Sequence, residues 1–291
     1  MAYSQNFLHN PRLVDRLLDR ADIASDDLVI EIGPGRGIVT GRLAARCRQV
    51  LAVEKDPLLV DALRARFQHE PNVALFAADF LTFPLPHSPY KVFANIPFNI
   101  TAAIVGKLTS GSSPPVDAYL AMQREAAERF LGVPRTTLVA ALLRPWFEPR
   151  IVHRFRPADF SPAPAVDVVL LRLQKRAVSS LEPTAAEGYG DFVTYVFGAW
   201  KPTVRAAMNG IVSTRQLAGL EEDIGQSLAV APGDLPGDAW IALYRAMRAN
   251  AGNSLEQVTG ARAKLERQQA VLQKEHRTRN ARQPGRNGKP R

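Results

Sequence analysis

The stretch Leu28-Val29-Ile30-Glu31-Ile32-Gly33-Pro34-Gly35-Arg36-Gly37 decides the fold. Its first five residues read as a buried strand, and the glycines that follow at alternate positions read as a tight turn leading into a helix. Gly33, Gly35 and Gly37 lack the G-x-G-x-x-G spacing of dinucleotide folds, so the turn points to close backbone approach to a ligand without naming a dinucleotide. Outward from this point, residues 50–53 form a second apolar strand ending at Glu54. Residues 57–67 carry Leu58, Leu59, Ala62, Leu63 and Phe67 at helical spacing. Further strands are predicted at 73–76, 91–94, 118–122, 150–156 and 166–173. Helices are predicted from Asn10-Pro11, where Asn caps and Pro opens the first turn, after Gly37 toward Cys47, and at 102–108 and 124–130. This alternation specifies an α/β fold with a largely parallel, doubly wound sheet.

After Lys175-Arg176 only helical periodicity remains, at 192–200, 204–211 and 239–247. The expected organisation is an α/β domain over 1–176, a small helical domain over 177–250, and a tail over 251–291. In the tail, Leu255, Val258, Leu265 and Leu272 make a narrow helical stripe, and the chain from Pro284 onward is expected to be disordered.

With 291 residues, 46% hydrophobic and 22% charged, the chain can bury one sizeable core and a smaller one. No apolar run reaches the roughly 18 to 20 residues of a membrane span. Residues 1–10 lack the basic start and apolar centre of a secretory leader, so a cytoplasmic, monomeric protein with no membrane partner is expected. Cys47 is the single cysteine and the five histidines are scattered, which excludes an intrachain disulfide and leads us to expect no metal. The net charge of +9 is concentrated at one end. Residues 251–291 hold ten Lys or Arg against three Glu, a net +7, which suits a phosphate backbone.

Two sets of residues carry candidate chemistry. At the ends of the first three strands stand the glycine turn, Glu54 and Asp79, an order that suits an adenosine-bearing cofactor. Glu54 is placed for both ribose hydroxyls and Asp79 for the adenine amino group. At the end of the strand at 91–94 stands Asn95-Ile96-Pro97-Phe98. The Asn95 side-chain oxygen and the Ile96 carbonyl, stiffened by Pro97, can each accept a hydrogen from an adenine amine, while the Phe98 ring can stack on the base. Ligands bind at that edge of open α/β sheets.

These residues, together with Ser4-Gln5-Asn6-Phe7, Val53-Glu54-Lys55-Asp56, Asp79-Phe80, Asn99-Ile100-Thr101 and Phe160-Ser161-Pro162-Ala163-Pro164-Ala165-Val166-Asp167, resemble the Erm family of 23S ribosomal RNA adenine-N6 methyltransferases, which confer macrolide-lincosamide-streptogramin B resistance. The likeness runs from about residue 4 to 248. It implies a Rossmann-like class I methyltransferase sheet with a small C-terminal all-helical domain. It also implies S-adenosyl-L-methionine as donor, and a target adenine in the peptidyl transferase loop of 23S rRNA, met before ribosome assembly is complete. Implied cofactor contacts are Gln5, Asn6, Leu8, Gly33, Gly35, Glu54, Lys55, Asp79, Phe80 and Asn95, and the implied catalytic set is Asn95, Ile96, Pro97 and Phe98. RNA contacts are expected at Arg124, Arg129, Arg135, Lys201, Arg205 and the tail 251–291. The sister family that dimethylates small-subunit rRNA usually carries Asn-Leu-Pro-Tyr at the base-binding motif, so Ile96 and Phe98 favour the Erm side. Three competing readings are that sister activity, a DNA adenine methyltransferase, and a non-catalytic RNA-binding protein on the same fold. Arg36 stands where many relatives carry Lys.

Overall fold

The computed structural model describes residues 6–111, 113–250 and 252–269, which divide into two compact units. One comprises the described residues within Met1–Pro134 and Leu143–Ser179, the other those within Arg135–Leu142 and Ser180–Arg291. A cut at 176 is therefore not the whole division, because 135–142 cluster with the helical unit. Gln5 lies outside the described residues, as do Ser4, Leu272 and the chain from Pro284 onward.

The first unit runs β1 (Phe7–Leu8), α1 (Pro11–Arg20), β2 (Leu28–Ile32), α2 (Ile38–Ala44), β3 (Gln49–Glu54), α3 (Pro57–Phe67), β4 (Val73–Ala77), β5 (Lys91–Asn95), α4 (Thr101–Ser110), β6 (Asp117–Gln123) and α5 (Arg124–Leu131). After α6 (Leu138–Leu143), which falls mainly in the other unit, come β7 (Phe147–Arg154), β8 (Phe160–Ser161) and β9 (Val168–Lys175). Seven strands form a sheet in the order β4-β3-β2-β5-β6-β9-β7. The strands from β4 to β6 pair in parallel, whereas β9 is antiparallel to both β6 and β7. The reversal follows from the connection: a parallel return needs a crossover of a dozen or more residues, usually through a helix. Between β7 and β9 the chain offers only a 3-10 turn and the two-residue β8. The last two strands also start and stop elsewhere than predicted, at 147–154 and 168–175 instead of 150–156 and 166–173.

Strand residues alternate between two buried faces. On one face Val29, Val50, Ala52, Phe93, Tyr119, Ala121, Val168 and Leu170 pack with Leu13, Val14, Leu17 and Leu18 of α1 and with Val39 and Leu43 of α2. Asn10 caps α1 as expected, its side chain accepting from Leu13 N at 3.2 Å. The other face carries buried Ile30, Ile32, Val53, Val92, Ala94 and Leu120. Because the five adjoining strands are parallel, the glycine turn, Glu54, Ala77 and Asn95 all emerge at one edge.

The second unit contains α7 (Ala186–Gly198), α8 (Val204–Met208), α9 (Thr214–Ile224) and α10 (Gly237–Asn250). Trp240, Phe192, Tyr189 and Tyr244 are fully or almost fully buried in its core and meet ring to ring. The helix at 214–224 was not foreseen, although the capping box Ser213-x-x-Gln216 announces it. Part of the expected tail is ordered against this unit. A 3-10 segment, Gly252–Val258, buries Val258 and leads to a helix at 261–269, in place of one continuous stripe. Buried Asp191 of α7 accepts from Gly260 N at 2.7 Å and Arg262 N at 2.9 Å, satisfying donors that the first turn of this helix leaves open. Asp191→Ala removes that remote cap and is expected to cost about 1 to 2 kcal/mol. Urea unfolding measures the loss, and limited proteolysis should cut the variant first within 252–269; an unchanged cleavage pattern would contradict the anchoring.

Candidate active site

The glycine turn leaves β2 with Gly33, Gly35 and Gly37 all in the left-handed backbone region, at φ +66, +56 and +74. Two of the glycines are also required sterically. A Cβ on Gly35 would stand 2.6 Å from the Phe7 ring, and one on Gly37 2.6 Å from Phe67. Gly33 differs, because nothing lies within 4 Å of where its Cβ would be, so its backbone is open to a ligand. Phe7 is brought there by β1, which pairs antiparallel with β8, and the Arg36 guanidinium sits 5.1 Å above its ring. Phe7, Leu8, Glu31, Gly33, Ile38 and Asn95 contribute to the walls of a cleft.

Asn95 ends β5, and its Nδ2 donates to the Asn6 carbonyl at 2.6 Å, leaving Oδ1 as an acceptor. Ile96 is buried and its N–H donates to Ala121 O at 3.2 Å, while no donor among the described residues reaches its carbonyl. Phe98 opens the 3-10 turn Phe98–Ile100 and is half-buried, packed against the hydrophobic core.

Glu54 is buried and already engaged: Oε1 accepts from Lys55 N at 2.9 Å and Asp56 N at 3.0 Å, and Oε2 accepts from Gly35 N at 3.1 Å. Its carboxylate thus ties the second strand end to the glycine turn, with lone pairs to spare. Asp79 takes the Lys55 ammonium at 2.7 Å and Leu81 N at 2.9 Å, and these hold its carboxyl below the usual range. Lys55 and Asp79 line a second hollow with Val60, Asp61, Arg64 and Ala77. Phe80 is buried, with the Lys107 ammonium 5.5 Å from its ring centre. Of the predicted cofactor residues, Leu8, Gly33 and Asn95 line the cleft and Lys55 and Asp79 line the second hollow, two separate depressions.

Residues 1–232 match the protein family described as ribosomal RNA adenine dimethylase. The chain belongs to that family. Among its relatives, an rRNA adenine N-6-methyltransferase of Bacillus licheniformis is 28% identical over 84% of this chain and 85% of its own length. A ribosomal RNA small subunit methyltransferase A of Prochlorococcus marinus is 31% identical over 84% and 92%. Of solved structures, that of the 23S rRNA methyltransferase ErmE superposes with a TM-score of 0.76 at 30% identity, covering 84% of this chain and all of that one. This rRNA adenine dimethylase relative is accordingly an rRNA adenine N6-methyltransferase on a Rossmann-like sheet with a helical C-terminal region, and S-adenosyl-L-methionine is its methyl donor.

The cleft of this family member suits that donor. Glu31, which the sequence reading passed over as part of a strand, is 3% exposed and lines the cleft, yet its Oε2 has no hydrogen-bond partner. A buried acceptor without a donor is costly unless a ligand supplies one, and the donor's ammonium group is such a group. The open backbone at Gly33 gives the ligand room beside it. Lone acidic residues inside apolar strands are the signal that could have found Glu31.

Four of the five basic residues expected to meet RNA are already engaged by other groups. Arg124 lies 3.3 Å from Asp167 and 3.7 Å from both Glu125 and Glu128, and Arg135 lies 2.6 Å from Asp234. Arg205 is paired with Glu221, and Arg129 is also engaged. Lys201 is exposed. Among the described residues there is no cluster of His, Cys, Asp or Glu able to hold a metal, and no helix is long and apolar enough to cross a membrane.

Burial, reinforced by the charge of Glu54 and only partly offset by Thr40, pushes the Glu31 carboxyl up to about 8. The Thr40 hydroxyl lies near without meeting hydrogen-bond geometry. In the unfolded chain the same carboxyl titrates near 4.3, at about the ordinary Glu value. The folded state thus keeps a proton that the unfolded state releases. This contribution to stability is complete below the unfolded value and is lost as pH rises toward 8. In urea unfolding of the ligand-free protein, Glu31→Gln should gain stability over the parent steadily as pH is raised across that window. A difference that stays flat with pH would show Glu31 to be ionised throughout.

Proposed function

We propose that this protein methylates N6 of an adenine in the peptidyl transferase loop of 23S rRNA, the Erm-type activity that protects ribosomes from macrolide, lincosamide and streptogramin B antibiotics. The observation that carries the reading is the Asn95-Ile96-Pro97-Phe98 motif, whose first residue lines the cleft. The Asn95 Oδ1 and the Ile96 carbonyl are acceptors left open while the surrounding backbone is hydrogen-bonded. Together they hold the two hydrogens of an adenine amine and turn its nitrogen lone pair toward the cleft. Phe98 stacks on the extruded base and fixes its plane, Pro97 fixes the carbonyl, and buried Ile96 keeps water from the amine. Bound S-adenosyl-L-methionine supplies an electrophilic methyl group.

Around that donor, Glu31, Gly33, Leu8 and Asn95 hold the end nearest the cleft, Glu54 takes the ribose hydroxyls, and Asp79 with Phe80 and Lys55 takes the adenine. No side chain of the motif is a strong base, so the rate comes from positioning and from acceptors facing the positive charge that develops on the amine. The product amine gives its proton to solvent. Ile96 and Phe98, and the 30% identity to ErmE over that whole structure, support the large-subunit target. Relatives named as small-subunit methyltransferases reach 33% identity, so the sister activity is the reading to test against.

Transfer of labelled methyl groups to separate 23S and small-subunit rRNA transcripts, followed by reverse-transcription mapping, decides between them. A stop confined to one adenine of the 23S loop is expected, and adjacent stops in small-subunit rRNA would reverse the assignment. Phe98→Ala should lower kcat/KM for the RNA by roughly 1 to 3 kcal/mol of lost stacking while cofactor affinity stays within twofold of the parent. Parent-like kcat/KM in that variant would remove Phe98 from the base site.

A further inference from the structure

The side chain of Trp200 is 97% exposed, far above any other aromatic residue among the described residues, of which Phe76 at 37% is the next exposed. An indole in open water forgoes the burial that ordinarily determines where tryptophan is found. Its backbone is unusual as well. Trp200 follows the C-cap of α7 at φ 53, in the left-handed region that normally takes glycine after a helix. At the ends of α5 and α9 the chain does use glycine there, Gly132 at φ 73 and Gly225 at φ 63. After α1 it uses Asp22, a residue type that tolerates the region. A bulky aromatic in this conformation is strained, so the position carries two penalties that glycine would avoid.

The turn that presents the ring is held on both sides. Behind it lie the last residues of α7; ahead, Pro202 fixes the chain and Thr203 caps α8 through Ala206 N at 3.1 Å. Val204 N and Arg205 N are tied to Val230 O at 2.9 Å and Leu228 O at 2.7 Å. The indole therefore stands on a fixed turn, with Lys201 exposed beside it and without a covering side chain. An aromatic face and a cation in adjacent positions match a nucleotide, whose base offers a π-face and whose phosphate offers a negative charge.

We propose that Trp200 stacks on an unpaired base of the RNA substrate, with Lys201 on the neighbouring phosphate. The proposal rests on the rRNA-methyltransferase reading and deepens it: the helical unit binds a single-stranded or looped segment, separate from the adenine that Phe98 holds. A fixed aromatic pays little ordering entropy on stacking, which is a reason to keep Trp in a conformation that suits glycine.

The test uses the full chain and two probes, an in vitro transcript of the peptidyl transferase loop of 23S rRNA and the same strand annealed to its complement. Trp200→Ala and Trp200→Gly should weaken binding to the looped transcript about 5- to 100-fold with the salt slope unchanged, and Trp200→Phe should retain most of the affinity. Lys201→Gln should lower the salt slope by roughly 0.7 to 0.9, the signature of one phosphate contact. Trp200→Gly should also melt at or above the parent temperature, because it relieves the strain. A merely structural Trp would give the opposite. The looped transcript should quench the red-edge tryptophan emission of the parent and not that of Trp200→Phe, and the duplex should quench neither.

Parent-like affinity in Trp200→Ala and Trp200→Gly overturns the proposal, as does equal quenching by the duplex. Loss of a dimer in Trp200→Ala with RNA affinity intact would overturn it too, by assigning the ring to a second copy of the chain. If the parent methylates neither rRNA, the enzymatic reading fails by itself, and the quenching experiment still decides the stack.

Discussion

The hydrogen bond from Asn95 Nδ2 to the Asn6 carbonyl is the constraint on which the site depends. Alone, β1 is two residues long and too short to hold a place. It is fixed by three things at once: pairing with β8, the Phe7 ring seated over Gly35, and the amide of Asn95. The same bond sets the rotation of Asn95, so the strand end that offers acceptors to a base and the N-terminal segment that walls the cleft are ordered together. This explains why the N-terminal segment and an interior motif 89 positions apart belong to one site.

Polar satisfaction separates the residues that build the edge from those that await a ligand. Glu54 has three backbone donors and acts as a tie between two strand ends. Asp79 is occupied by Lys55 and Leu81 N. Glu31 Oε2 has nothing, and the Ile96 carbonyl and Asn95 Oδ1 accept nothing among the described residues. Along this sheet edge, acceptors left unmatched beside the glycine turn leave places for a ligand's donors.

Much of the fold was legible because aliphatic strands and glycine turns signal through local patterns. The span of α3 and the strands β2 to β6 follow directly from apolar runs between Gly, Pro and acidic stops. What could not be read is non-local. The reversal of β9 depends on a connection without a crossover helix. The membership of 135–142 in the helical unit depends on pairings such as Arg135 with Asp234 and the Tyr189 hydroxyl with Ala141 O. The same applies to charge. Arg124, Arg135 and Arg205 read as free cations in sequence, and their carboxylate partners include residues far along the chain. Glu31 was overlooked for the converse reason, since its importance lies in one carboxyl oxygen, Oε2, that has no hydrogen-bond partner.

One pairing has a consequence for how the protein is made. Asp117 of β6 is 5% exposed, and Arg172 of β9 grips both its oxygens through Nε at 3.0 and 2.9 Å, with Arg172 Nη2 and the Tyr119 hydroxyl as second and third donors. The two residues are 55 positions apart. A ribosome adding about 5 to 20 residues per second exposes an unpaired β6 edge for roughly 3 to 11 s before the arginine emerges. Over that interval the carboxylate stays hydrated and keeps the incomplete sheet edge charged, a state that discourages neighbouring nascent chains from joining it.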